Sequence, residues 1–235
     1  ANVYVGIFLK FSGIQLAYTI HDQIPHGGNR VVRAYNWLVN NVLADDVIIF
    51  SPLQMRTRAR VRQFRLGGYQ GEGADVRTGR EESAPRIALL FGRIESYKGY
   101  EYLPELARRL AADGVKIVVA GRGNSDALEA AREIEGVEIV NRFIPDNEAC
   151  AMFNSARVNL LPYKEATQSG VLLHAASFGV PSVAFAVGGI EEYMLPQIGC
   201  CIAPGDVDAM AEAALRYLQM STEDWAKVQR KCREA

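Results

Sequence analysis

The sequence predicts an α/β fold whose later part is a parallel, doubly wound sheet. Two observations carry this. From Arg86 onward, short aliphatic runs alternate with longer stretches of helical periodicity. Each run is followed by glycine, proline or charged residues before the next helix begins, which is the punctuation of repeated βα units.

Residues 1–80 are less regular. Ala1–Lys10 is an apolar, strand-like run, and Leu16–Ile20 is a second strand that ends in Thr19-Ile20-His21-Asp22. Val31–Leu43 reads as a helix, Asp45–Phe50 as a strand leading to Ser51, and Pro52–Phe64 as a helix. Gly67–Ser83 is rich in glycine and charge and reads as a linker or exposed loop.

The alternation then becomes clear. Strand Arg86–Phe91 precedes helix Tyr100–Ala112, strand Val115–Ala120 precedes helix Ser125–Ile134, and strand Val137–Phe143 precedes helix Asp146–Ser155. Val158–Leu161 is short and apolar, as a buried strand should be, and Pro162–Ser169 cannot continue it. Val171–Phe178 is helical, with Ala175, Ala176 and Ser177 small enough to approach a sheet; Gly179 stops it and Pro181 prevents continuation. Strand Ser182–Val187, short helix Ile190–Leu195, strand Cys200–Ala203 and helices Val207–Met220 and Glu223–Glu234 complete the chain, with Asp206 and Thr222 as expected N-caps. The expected domains are a partial α/β domain over 1–80, a complete nucleotide-binding-type domain over 84–220, and a closing helix over 221–235 that packs back on the first domain. Eighty residues are few for a complete domain of about 150, so missing N-terminal sequence is the favoured explanation.

The totals exclude several classes. The chain has 235 residues, 49% hydrophobic, with a formal net charge of −1. That balance gives no case for nucleic-acid binding. Cys150, Cys200, Cys201 and Cys232 form no C-x-x-C pair and read as reduced, buried thiols. No run reaches the roughly 18 apolar residues of a membrane span, and no signal peptide is visible, so a cytoplasmic location is expected.

The chemistry is expected at the carboxyl ends of the strands, where open α/β sheets bind ligands. Gly92-Arg93-Ile94-Glu95-Ser96-Tyr97-Lys98-Gly99 puts two cations, Arg93 and Lys98, between a strand end and a helix start. Two cations there can clamp a pyrophosphate and stabilise it as it leaves; the bland reading is a solvated loop. Ser169 and Gly170 place free backbone N–H groups at a helix start, which welcomes an anion. Thr167 and Gln168 are candidates to bond sugar hydroxyls. Gly121-Arg122-Gly123 ends another strand, where shaping of the backbone is as good a reason for glycine as ligand contact. Arg56, Arg58, Arg60, Arg62 and Arg65 form a basic run; on a helix, 58, 62 and 65 share a face that could dock an anionic acceptor or an acidic membrane, or simply stay solvated.

Residues 160–190 resemble the signature region of the GT-B fold glycosyltransferases of the large retaining family four, which reads E-x-F-G-x-x-x-x-E-A-x-A-x-G-x-P-V-V-A and then a G-G turn. The matches are Ala175, Gly179, Pro181, Val183, Ala184 and Gly188-Gly189. The second Glu of the pattern is His174 here, and the first falls on Ala166, with Glu165 one residue away; the version EATQSGV resembles a variant branch that lacks the second Glu. The family shares G-R-x-x-x-x-K-G, and the resemblance assigns Arg93 and Lys98, with Gly92, to the donor diphosphate. It places Gly121 along the nucleotide cleft, and it gives the nucleobase to main-chain groups near Phe143 and Ile144 with Arg142 alongside. It gives the ribose to His174 or a structural role to that ring, and leaves Glu165 as either a substitute acid or a solvated turn residue. It places His21 at the donor sugar, with His26 as a weaker acceptor-side candidate.

The resemblance implies a glycosyltransferase that moves a sugar from a nucleotide-diphosphate donor to a carbohydrate, lipid-linked or small-molecule acceptor, with retention at the anomeric carbon. It uses no cofactor and no metal, the cations serving in place of a divalent ion, and no D-x-D pair is expected to chelate one. Peripheral contact with an anionic inner membrane face is compatible with the basic run. Two other readings stay open: a non-catalytic nucleotide-sugar-binding homologue or subunit, and a GT-B sugar-nucleotide epimerase. An NAD-dependent oxidoreductase fits poorly, because G-R-x-x-x-x-K-G is not G-x-G-x-x-G.

Overall fold

A computed structural model describes residues 8–20, 30–50, 56–64 and 86–235. The chain divides into two units, Ala1–Leu66 and Gly67–Ala235.

The smaller unit contains a three-stranded parallel sheet, β1 (Ala17–Ile20), β2 (Asp46–Ile49) and β3 (Arg60–Gln63), in that order. Helix α1 (Arg30–Leu38) leads through a wider turn, Val39–Leu43, into β2. Ile20, Val47 and Ile49 form its buried centre. Two sequence expectations fail here. Residues 8–11 are helical rather than extended, with Ser12 N donating to Phe8 O at 3.0 Å. Of the helix expected over Pro52–Phe64, the described residues 56–64 are not helical: Arg60–Gln63 is a strand paired with β2. The reason is Asp46, whose two carboxylate oxygens accept from Arg60 at 3.0 Å and Arg62 at 2.9 Å. Residues two apart share a face only in a strand, so the arginines meet one acid as β3. The shared helical face of 58, 62 and 65 is therefore absent, and Arg65 lies outside the described residues. So does the expected linker, Gly67–Ser83.

The larger unit follows the predicted alternation closely. Its strands are β4 (Ile87–Phe91), β5 (Lys116–Ala120), β6 (Val137–Val140), β7 (Val158–Leu161), β8 (Ser182–Phe185) and β9 (Gly199–Ile202). Its helices are α2 (Leu103–Ala111), α3 (Asp126–Arg132), α4 (Asp146–Ser155), α5 (Gly170–Ser177), α6 (Gly189–Tyr193), α7 (Val207–Leu218) and α8 (Thr222–Glu234). The strand order is β6-β5-β4-β7-β8-β9, all parallel. This is the doubly wound order whose direction of growth reverses between β4 and β7.

Two apolar layers cover the sheet. Alternate residues of β4 serve each: Ala88 and Leu90 pack with Leu103, Leu106, Leu110, Met210 and Leu218, while Ile87 and Leu89 pack with Phe153, Ala175 and Phe178. Strands buried on both faces must be aliphatic throughout, which is why they read as unbroken runs. Inside β7, Asn159 Nδ2 donates to Ser182 Oγ of β8 at 2.9 Å, one of few polar links in the core. Asp206 caps α7 as expected, accepting from Ala209 N at 2.9 Å. The cap of α8 is Ser221 rather than Thr222, its Oγ accepting from Asp224 N at 3.1 Å. The cysteines are free thiols, Cys232 buried and the others half-buried.

Within the larger unit, α8 packs on α5. A Cβ on Gly179 would stand 2.5 Å from Gln229 Cγ, and Arg233 donates to Phe178 O at 3.2 Å. Among the described residues, no helix is long and apolar enough to cross a membrane.

Candidate functional site

In an open α/β sheet a ligand crevice is expected where the strand order reverses; here that place is the carboxyl ends of β4 and β7, and most sequence-predicted site residues lie on the loops there. After β4, the backbone bends at Gly92 (φ +109°), whose N–H donates to Ala120 O at 2.9 Å. A Cβ on Gly92 would stand 2.7 Å from Lys98 Nζ and 3.5 Å from Val171 Cγ2. Gly92 therefore marks where the Lys98 ammonium meets the first turn of α5.

The two cations differ. Arg93 is exposed, and its Nη1 lies 2.9 Å from Glu95 Oε1. Lys98 ends a short 3-10 turn, Ser96–Lys98, and is only 7% exposed. Burial pulls its pKa down to about 8; Glu95 offsets part of this and Arg93 adds to it. The Lys98 ammonium lies over the Tyr163 ring, 5.3 Å from its centroid. Sequence reasoning missed Tyr163 and Glu95. An aromatic in a polar turn carries no signal of what its face meets, and Glu95 was one charge among several in its loop.

The loop after β7 is tied to the loop after β4. Lys164 N donates to Tyr97 O at 2.7 Å, Lys164 Nζ lies 2.6 Å from Glu101 Oε1, and the Tyr97 and Tyr163 rings meet edge-on at 6.0 Å. Glu165 is exposed, Thr167 is buried and Gln168 is half-buried. The Gly188-Gly189 turn closes on this loop from the other side: a Cβ on Gly188 would stand 1.9 Å from Ala166 O, and one on Gly189 the same distance from Thr167 O. These glycines serve close backbone approach.

Ser169 caps α5, its Oγ accepting from Leu172 N at 3.3 Å. Gly170 is different from the other glycines of the site. It is exposed, its φ is not positive, and nothing lies within 4 Å of where its Cβ would be. The chain's own packing gives no reason for glycine there, and the vacant space faces a helix start suited to an anion.

Further along α5, the His174 ring packs on Phe153 (4.7 Å) and Phe178 (5.0 Å). Burial holds its pKa below the usual histidine value, with Asp146 opposing, so the ring is neutral near pH 7. At the end of β5, Gly121 and Gly123 are shape-determining: added Cβ atoms would stand 1.9 Å from Gly92 O and 2.1 Å from Ile94 O. Asn141 clasps Gly123, accepting from its N–H at 3.2 Å and donating to its carbonyl at 3.0 Å. At the end of β6, Arg142 is held by Glu148 through two contacts of 3.3 and 2.5 Å, and also donates to Phe143 O at 3.2 Å. The strand stops at Val140, Ile144 packs inward and Phe143 stands 72% exposed. Ile144, not Phe143, is the residue that packs this strand end. His21 and His26 lie outside the described residues.

The sequence contains one D-x-D pair, Asp206-Val207-Asp208. Asp206 is occupied as the α7 cap and Asp208 pairs with Arg109.

Known proteins share this arrangement. A family described as glycosyl transferases group 1 matches residues 85–220. The D-inositol 3-phosphate glycosyltransferase of Geodermatophilus obscurus is 30% identical over 146 residues, 55% of this chain and 32% of that protein. The glycogen synthase of Mycobacterium tuberculosis is 29% identical over 164 residues, 66% of this chain and 38% of that protein. The chain thus spans about a third of the length of these curated relatives. Among solved structures, Anabaena Alr3699/HepE in complex with UDP superposes with a TM-score of 0.77 at 16% identity, over 99% of this chain and 70% of that one. Sucrose-phosphate synthase from Thermosynechococcus elongatus gives 0.70 at 23% identity, over 98% and 65%. Both carry the parallel-sheet α/β architecture expected of the GT-B type. With the matched region covering the whole six-stranded sheet and both loops of the crevice, this chain belongs to the glycosyl transferases group 1 family.

Proposed function

We propose that this chain carries the donor site of a glycosyltransferase that uses a nucleotide-diphosphate sugar and transfers the sugar with retention, as a family-four enzyme of the variant branch without the second Glu. The observation that carries the reading is the juxtaposition of a buried ammonium, Lys98, with the open start of α5 at Gly170, where the strand order reverses. A diphosphate placed there receives the lysine charge, the N–H groups of the first helical turn and the partial positive end of the helix. Arg93 sits beside Lys98 and exchanges its exposed bond to Glu95 for a phosphate oxygen. Charge developing on the leaving diphosphate meets cations already in place, and these take over the neutralising task without a metal.

The remaining assignments follow from place. Arg142, Phe143 and Ile144 receive the base, with the Phe143 ring free to cover it. His174, neutral and held by two phenylalanines, offers the ribose a hydrogen bond, and Thr167, Gln168 and Glu165 lie on the sugar side of the diphosphate. His21 belongs to the donor sugar. The acceptor is a carbohydrate, a lipid-linked sugar or a small molecule. The enzyme works in the cytoplasm, and Arg56 and Arg58 of the basic run favour peripheral contact with an anionic membrane face.

The test is calorimetric titration of the chain with UDP, GDP and ADP, repeated on Lys98→Ala. One nucleotide binds, and the variant loses at least tenfold in affinity. If all three fail to bind, or Lys98→Ala binds as the native chain does, the donor-site reading is wrong. Release of free sugar or transfer to acceptor from the matching sugar nucleotide separates an enzyme from a binding subunit.

A further inference from the structure

A buried lysine ordinarily meets a carboxylate. Among the described residues, no carboxylate forms an ion pair with Lys98; Glu95, close in sequence, is engaged by Arg93 at 2.9 Å. The ammonium instead stands 5.3 Å from the centre of the Tyr163 ring. That ring is itself fixed. Tyr163 is buried, edge-on to Tyr97, and the next residue bonds the other loop twice, through Lys164 N to Tyr97 O and Lys164 Nζ to Glu101. On the opposite side, the missing Cβ of Gly92 leaves the ammonium its space, since a Cβ would stand 2.7 Å away. The ring face on one side and the glycine on the other leave Lys98 little choice of position.

We propose that Tyr163 is a positioning residue for the donor-site cation, its ring face holding the Lys98 ammonium in place of a carboxylate counter-ion. The functional consequence rests on the donor-site reading above. The negative face of an aromatic ring attracts a cation without carrying a charge. A carboxylate in that place would keep the lysine equally well located, but an arriving diphosphate would have to displace it and then bind beside its negative charge. With a ring as partner, no carboxylate is bonded to the lysine and none has to be displaced when the donor arrives. The other charged or titratable groups near Lys98 are Glu95, Arg93, Tyr97 and Tyr100, with the Lys164–Glu101 pair behind Tyr97; of these, Glu95 and Arg93 act on Lys98 with opposite sign.

The experiment titrates Lys98 directly by NMR in the full chain carrying isotope-labelled lysine. The chain has six lysines, and the Lys98 signal is the one absent from Lys98→Ala. Tyr163→Phe is compared with chains in which that phenylalanine carries one, two or three ring fluorines. Fluorination keeps the shape of the ring and progressively strips its negative face, so folding is not at stake. We expect Tyr163→Phe to leave the Lys98 titration nearly unmoved and the fluorinated series to lower it stepwise, by about one pH unit in total. Affinity for the nucleotide falls in step, by about threefold to tenfold near neutral pH. A Lys98 titration indifferent to fluorination overturns the proposal. A titration that follows the fluorines in a chain that binds no nucleotide supports the role of Tyr163 and removes the donor reading, so the two failures are told apart.

Discussion

The Cβ that Gly99 lacks would stand 1.8 Å from the carbonyl oxygen of Pro162. Gly99 ends the loop after β4 and Pro162 begins the loop after β7, so this single approach joins the two sides of the crevice. Gly99 also has a left-handed backbone, φ +70°. Gly99→Ala meets both penalties at once, and we expect it to cost about 3 kcal/mol, read as a lower midpoint of urea unfolding. Because the loops must part to admit the methyl group, nucleotide affinity falls along with stability.

The titration of Lys98 predicts opposite pH trends for stability and for binding. Its folded pKa, about 8, lies below the ordinary 10.5, so between these values the unfolded chain holds more protons than the folded one. Folding stability contributed by this group therefore rises as pH increases from about 8 to 10.5, by about 3 kcal/mol. Lys98→Met abolishes that rise. Nucleotide affinity runs the other way: it is level below about pH 8 and falls above it, because only the ammonium binds a diphosphate. Binding near pH 8 takes up protons, which calorimetry in buffers of different ionisation enthalpy detects.

Gly170→Ala separates function from folding. The position is the first residue of α5, its backbone is compatible with alanine, and the direction of the new methyl group is empty. Stability should rise by about 0.5 kcal/mol, while nucleotide affinity drops at least tenfold because the methyl group occupies the place of a phosphate oxygen. Unchanged affinity in a stable Gly170→Ala chain would place the anion elsewhere.

Arg157 supplies the converse control. Its Nη1 donates to Leu218 O at 3.0 Å and Met220 O at 2.9 Å, closing the carbonyl end of α7 from the start of β7. Arg157→Met leaves two carbonyls without that donor and should cost about 2–3 kcal/mol. The bonds lie at the amino end of β7, away from the crevice, so the nucleotide affinity of the folded fraction stays at the native value.

The six strands of the larger unit were legible because burial on both faces requires aliphatic side chains and nothing else; Ile87–Phe91 and Val158–Leu161 admit no other reading. That Arg93, Lys98 and the start of α5 stand on loops at the carboxyl ends of strands was legible because each loop follows an aliphatic run directly. What escaped depended on partners remote in sequence. The strand Arg60–Gln63 was read as helix because its arginines also fit a helical face, and only Asp46, fourteen residues earlier, selects the extended form. The difference between an exposed Arg93 and a buried Lys98 goes with the Tyr163 ring beneath the ammonium and the close approach of Gly92, and no spacing in the loop announces it.

Helix α5 is held at both ends. Ser169 fixes its first turn, while Arg233 bonds its last residues and Gln229 lies against Gly179. The contact offered to a diphosphate is therefore made by a rod without slack, anchored through the chain's final helix. A ligand docking at Gly170 finds little backbone freedom left to quench, so the entropic toll of association is small. Loosening Arg233, far from any ligand atom, would restore that freedom, and the weakening would appear in the entropy of binding rather than in its enthalpy.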